Sequence, residues 1–170
     1  KEIYNLITEK GKKYQLSNCG MHAMDIMRME TGFLHWGHDI SPEENQYEAG
    51  LNFAISFKKN VDFIGKKSLL KLKETKQEKI FSMFTLNQSN PGEPLMLHDE
   101  PIYIDGKIVG RTTSGNYSFN YNKNLAFGYI KTDENLETIK NKSVEIEIEK
   151  VKYNAEILTK PLNNKKFKNL

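Results

Sequence analysis

Arg28 is the residue whose type sets it apart. Of the 25 basic residues, 23 are lysines and only Arg28 and Arg111 are arginines. A guanidinium presents a planar fork of donors that suits a carboxylate or the edge of a heterocycle, which an ammonium cannot copy. The same fork suits an ion pair with Glu30 or another acid, and the residues alone leave both readings open. Three other groupings invite chemistry. His35-x-x-His38-Asp39 has metal-like spacing, but it lies in a stretch with two glycines that ends at Pro42, so ordinary hydrogen-bonded histidines are expected. Cys19 and His22 stand three apart near a helix start, where a thiolate is favoured, yet no third group orients them. A lone cysteine of this kind is expected to be an inert core residue. Gly110 to Gly115 (GRTTSG) brackets a hydroxyl-rich segment with glycines but lacks the lysine of a phosphate-binding loop, and a structural turn is expected there.

The elements that must position these groups change character along the chain. Ile3, Leu6 and Ile7 repeat at helical spacing over 2–10, and Gly11 can end that helix. Ser17 or Asn18 can cap a second helix running to Glu30, in which Ala23, Ile26 and Met27 share one face with Met24 beside it, a stripe expected in the core. The segment 51–57 (LNFAISF) has the pattern of a buried strand, and Ile64 to Ser68 leads into a short helix ending near Thr75. The polar run 75–79 (TKQEK) is the expected boundary.

Beyond it the period becomes two. Residues 80–87, 125–131, 144–149 and 153–159 read as strands, with Val144, Ile146 and Ile148 inward and the alternating glutamates outward. Asp105-Gly106 between two β-branched runs predicts a type I′ hairpin, and Asn90-Pro91-Gly92 a turn. The expected fold class is therefore α+β: a helix-and-strand layer over residues 1–78, followed by a small antiparallel β-barrel over 79–170.

Composition excludes several classes. An apolar fraction of 38% over 170 residues supports a packed core, and the short apolar runs exclude a spanning helix, so no membrane role is expected. A formal charge of +3 gives no reason to expect nucleic acid. The excess of lysine, Asn (17) and Ile (15) over Ala (5) is what an AT-rich coding sequence gives, and most lysines read as solvated surface. One cysteine excludes an internal disulfide or a multi-cysteine metal site and fits a reducing compartment. The first residues lack the apolar core of a signal peptide. A chain that starts at Lys1 rather than Met is expected to be a piece of something longer.

The string 28–33 (RMETGF), then 35–42 (HWGHDISP), 47–51 (YEAGL) and 63–66 (FIGK), resembles the second half of the aminomethyltransferase family, which includes the glycine cleavage T-protein. The HWGHD form is closest to the folate domains of dimethylglycine and sarcosine dehydrogenases. Farther on, 92–94 (GEP), 105–110 (DGKIVG), 113–117 (TSGNY), 126–130 (AFGYI) and Pro161-Leu162 resemble that family's C-terminal barrel. In order and spacing these motifs run from about Tyr4 to Pro161.

The resemblance implies that residues 1–78 are the C-terminal portion of a tetrahydrofolate-binding domain and that the whole protein moves a one-carbon unit, derived from a methylamino acid, to folate. It implies that Arg28, in the R-x-E-x-G motif, binds folate, that Phe53 lines the pterin pocket, and that Phe167 fills the aromatic place near the C-terminus. It implies no catalytic residue here, because the family's catalytic aspartate lies in an N-terminal half that this chain lacks. That half, or a further domain, is then the chain's partner. FAD would belong only to an upstream domain. The chain alone is expected not to catalyse transfer. Ser118-Phe119-Asn120-Tyr121 departs from the Pro or Gly usual after the TSG-x-Y motif. The location implied is cytoplasmic in a bacterium and the mitochondrial matrix in a eukaryote. The competing readings are a non-catalytic folate-binding scaffold, whose relatives carry a signature cysteine motif unlike the surroundings of Cys19, and a folate-dependent demethylase of another methyl donor.

Overall fold

The computed structural model describes residues 1–87 and 90–163. Three helices come first: α1 (Glu2–Gly11), α2 (Met21–Glu30) and α3 (Lys66–Glu74). Six strands follow: β1 (Lys79–Leu86), β2 (Pro101–Ile104), β3 (Lys107–Ser118), β4 (Lys123–Lys131), β5 (Val144–Ile148) and β6 (Val151–Leu158). A short helix α4 (Leu136–Ile139) separates β4 from β5. The strands close into an antiparallel barrel in the order β1-β4-β3-β2-β5-β6. No described helix is long and apolar enough to cross a membrane.

Alternation builds the barrel interior. Ile102 and Ile104 of β2, Ala126 and Ile130 of β4, and Val144, Ile146 and Ile148 of β5 all point inward and are buried. Asp105 and Gly106 both have positive φ, 49° and 78°, as a type I′ turn requires. Strand β4 is buried on both faces, because Leu125 and Phe127 lie outside the barrel and pack with Met29 of α2. This second, smaller cluster fastens the helical layer to the barrel wall, and α2 contacts both β3 and β4 from outside.

Four local expectations are corrected. Helix α2 begins at Met21 with Gly20 as its cap, not at Ser17 or Asn18, and the Asn18 amide instead donates to Tyr4 Oη at 2.8 Å. Its stripe is core only at Ile26, which packs partly buried against the Met29 cluster; Ala23, Met24 and Met27 are exposed, and burial is concentrated at Met29 and Glu30, where the helix meets the barrel. Residues 51–57 form no strand. After Gly50, at φ 70°, the backbone closes on itself through a 3-10 turn at Asn52–Ala54. A short apolar run does not by itself distinguish a strand from a compact loop, and this one has no sheet edge to join. Finally, GRTTSG is not a turn but the middle of β3, bulged between Thr112 and Ser114. Its glycines mark close approach: a Cβ on Gly110 would stand 1.8 Å from the Tyr129 carbonyl oxygen, and one on Gly115 2.2 Å from Met96. Helix α4 was not foreseen, although Asn135 caps it through Thr138 N at 2.9 Å, a signal that Asn-x-x-Thr carries.

Candidate functional site

Arg28 sits in the last turn of α2, facing the bulge of β3 and the loop 33–40. All five of its N–H donors are engaged. Nε and Nη2 donate to Asp25 Oδ1 at 2.8 and 2.6 Å, and Nη2 also donates to Ser114 Oγ at 2.7 Å. Nη1 donates to the Phe33 carbonyl at 3.2 Å and to Asp39 Oδ2. The guanidinium carbon lies 5.3 Å from the ring centroid of Phe127, a cation–π contact on the barrel wall. Arg28 is therefore ion-paired, and its partners are Asp25 and Asp39 rather than Glu30. Positions two apart on a helix do not face each other, and Glu30 turns instead to Ser118 Oγ (2.5 Å) and Asn120 Nδ2 (2.9 Å). Ser118 and Asn120 thus supply the buried Glu30 carboxylate with its donors.

Asp39 is the other anchor, and its side chain is 0% exposed. A carboxylate so buried is tolerated only when every lone pair is used. Oδ2 accepts from Arg28 and from His35 N at 2.9 Å, and Oδ1 accepts from Thr113 Oγ1 at 2.6 Å and Ser114 Oγ at 2.7 Å. Tyr129 Oη donates to the Asp39 carbonyl at 2.8 Å. Burial, reinforced by the charges of Glu44, Asp39 and Glu48, pushes the Tyr129 phenol up, so it stays a donor. These bonds pin the HWGHD loop to β3 and β4.

A cleft of about 270 Å³ opens beside this network. Met24, Asp25 and Arg28 line it from α2, His35 and His38 from the loop, Leu95–His98 from the segment before β2, and Thr113–Asn116 from β3. All four histidines of the chain border it. The volume falls just below the roughly 300 Å³ at which small-molecule pockets usually begin. Methionine and leucine supply apolar contact, while Asp25, Arg28 and the imidazoles supply polar contacts, a mixture suited to a planar heterocycle with polar edges. Among the described residues no group of acids, histidines or cysteines is arranged to hold a metal ion. His35 and His38 are exposed and lie against each other, ring centroids 4.6 Å apart.

Of the residues singled out from the sequence, Arg28 lines the cleft. Phe53 does not; it is 82% exposed on the 3-10 turn, and the structure does not bring it to Arg28. Phe167 lies outside the described residues. Cys19 is exposed rather than a core residue. Asp25 and Ser114 escaped the sequence reading. Asp25, three residues before Arg28 on a helix, carried a usable signal. Ser114, 86 residues away from Arg28, carried none.

Two family models match the chain, the T-protein N-terminal domain (GCVT N-terminal domain) over residues 1–59 and the glycine cleavage T-protein C-terminal barrel domain over 81–163. The chain belongs to the aminomethyltransferase, or glycine cleavage T-protein, family. A 4-methylaminobutanoate oxidase (formaldehyde-forming) from Paenarthrobacter nicotinovorans is 37% identical over 79% of this chain and 16% of its own length. Human mitochondrial dimethylglycine dehydrogenase is 33% identical over 94% of the chain and 18% of its own. The chain thus spans under a fifth of either relative. The crystal structure of the glycine cleavage system aminomethyltransferase T from Bartonella henselae superimposes with a TM-score of 0.79, covering 94% of this chain and 43% of that one at 19% identity, which establishes the shared fold. The α+β class with a closed barrel is that of the T-protein family.

Proposed function

We propose that this chain forms one wall of a tetrahydrofolate site in a one-carbon-transfer protein of the dimethylglycine or sarcosine dehydrogenase kind, or in an aminomethyltransferase. The observation that carries the proposal is the position of Arg28. The arginine of the R-x-E-x-G motif is held rigidly at the border of a cleft where α2, the HWGHD loop and β3 meet. Folate supplies nitrogen atoms that accept the one-carbon unit. The residues here bind and orient it: Met24 and Leu95–Leu97 cover apolar surface, and Arg28 with its partners fixes the polar edge. Preorganisation of this kind avoids the cost of ordering the site when ligand arrives.

In this reading the boundary falls at residues 78 and 79, between the partial folate-binding domain and the barrel. The one-carbon unit derives from a methylamino acid, FAD resides in an upstream domain if the protein is a dehydrogenase, and the compartment is the bacterial cytoplasm or the mitochondrial matrix. Phe53 would meet folate only beyond the cleft described here. A second reading, demethylation of another methylated amine, is favoured by the likeness to an oxidase whose name specifies 4-methylaminobutanoate and formaldehyde. Calorimetric titration of the protein as the cell makes it with tetrahydrofolate tests the proposal: saturable binding that Arg28→Lys weakens supports it, and no binding rejects it.

A further inference from the structure

Arg28 has no donor left to offer. Its five N–H groups end on Asp25, Asp39, Ser114 and the Phe33 carbonyl, which is the full capacity of a guanidinium. The unused hydrogen-bonding capacity of the network lies next to it. Asp25 receives both of its bonds on Oδ1, while Oδ2 accepts from no described residue. The Asp25 side chain is 29% exposed and lines the cleft. Asp39, the other carboxylate on Arg28, is fully enclosed and saturated on both oxygens, so it cannot serve.

We infer that Asp25 is a ligand-binding residue of this cleft, contributing Oδ2 as an acceptor for an N–H of the ligand. This rests on the folate reading above and sharpens it: the polar spot presented by the arginine motif recognises a hydrogen-bond donor rather than an anion. Two sources share that chemistry, a ring N–H of the folate heterocycle and the N–H of a protonated methylated amine. Arg28 has a defined part in this. By gripping Oδ1 with two donors it fixes the carboxylate rotamer and leaves only Oδ2 for the cleft.

The grip also makes the test specific. In Asp25→Asn the two Arg28 donors require the amide oxygen at the Oδ1 place, so the NH2 group takes the place of Oδ2 and meets the ligand N–H donor to donor. Asp25→Ser, whose single oxygen stands one bond nearer the helix backbone, removes the acceptor at the Oδ2 place and covers the case in which the amide variant folds poorly. Glu30→Gln, on the same helix but outside the cleft, controls for loss of stability alone. Each variant, in the protein as the cell makes it, is titrated separately with tetrahydrofolate and with dimethylglycine. The expected result is at least a tenfold loss of affinity for one of the two ligands in both Asp25 variants, with Glu30→Gln close to wild type. The ligand affected identifies the donor. Wild-type affinities retained in a folded Asp25→Asn or Asp25→Ser protein overturn the inference while leaving folate binding in place. A wild-type protein that binds neither ligand removes the proposed function and this inference with it.

Discussion

Ser118 Oγ donates to Glu30 Oε1 at 2.5 Å, joining the end of α2 to the end of β3 across 88 residues. Glu30 is 4% exposed, and Asn120 supplies the remaining donor contacts to its carboxylate. Its carbonyl accepts from Asn163 N at 2.8 Å, so the same residue also holds the segment that follows β6. Glu30 therefore adds a tie between the helical layer and the barrel at a residue that does not line the cleft.

Ser118→Ala tests that tie. It leaves a buried carboxylate with Asn120 as its only side-chain partner, and a lost bond to a charged group costs about 1.5–3 kcal/mol. The midpoint of urea denaturation should fall accordingly, whereas folate affinity measured below the transition should hold.

Asp39→Asn should cost more. The charge opposite Arg28 disappears from a fully enclosed position, and breaking a buried pair by removing one partner typically costs about 3–5 kcal/mol. Asp25 still faces Arg28, which places the expected value at the lower end of that range. A change under about 1 kcal/mol in denaturant unfolding would contradict the role given to Asp39.

Arg28→Lys keeps the charge but offers three donors where five are used. The Asp25 carboxylate loses its fixed orientation, and folate binding should weaken by roughly 1.5–3 kcal/mol, about ten- to a hundredfold. Calorimetry decides: unchanged affinity in a less stable protein would assign Arg28 to structure alone.

Glu44 makes stability depend on acid. Burial pushes its carboxyl up, but hydrogen bonds from Lys79 and from the Ser41 hydroxyl and amide outweigh this and hold it below its usual value of 4.5. A depressed carboxyl contributes stability in full above the unfolded value and loses it as pH falls through the lower folded one. Glu44→Gln should thus be less stable than wild type at pH 7. The gap should close as the pH is taken below 4.5, which thermal unfolding across pH will show.

Gly115→Ala should disturb the cleft from the barrel side. The added methyl would stand 2.2 Å from Met96 Cγ and 2.8 Å from the Leu97 carbonyl oxygen, forcing the cleft wall at 95–97 outward. Overpacking of this kind costs about 1–3 kcal/mol. Thermal unfolding and folate titration should both register it.

How far the sequence foretold these features depended on the range of the contact. The Asp105-Gly106 hairpin and the alternation of Val144, Ile146 and Ile148 are local patterns, and both appear in the barrel as expected. Gly110 and Gly115 misled because glycine marks both turns and close packing, and only the Tyr129 carbonyl and Met96 distinguish the two. Residues 51–57 misled because whether an apolar run pairs depends on a free sheet edge elsewhere. Arg28 was legible as special, but its partners Asp39 and Ser114 come from elements that only the closed barrel brings to α2.

Closure of the barrel has a last consequence. Strand β1 is bonded to β4 on one side and, over Met83–Leu86, to β6 on the other, so each of the six strands has a hydrogen-bonded neighbour on both sides. A closed barrel disfavours both recruitment of a peptide as an added strand and cross-β stacking from the folded state. Partners are then met chiefly through side chains on the helices and loops, the parts of a fold that ordinarily tolerate the most variation, so a change of companion asks nothing of the barrel.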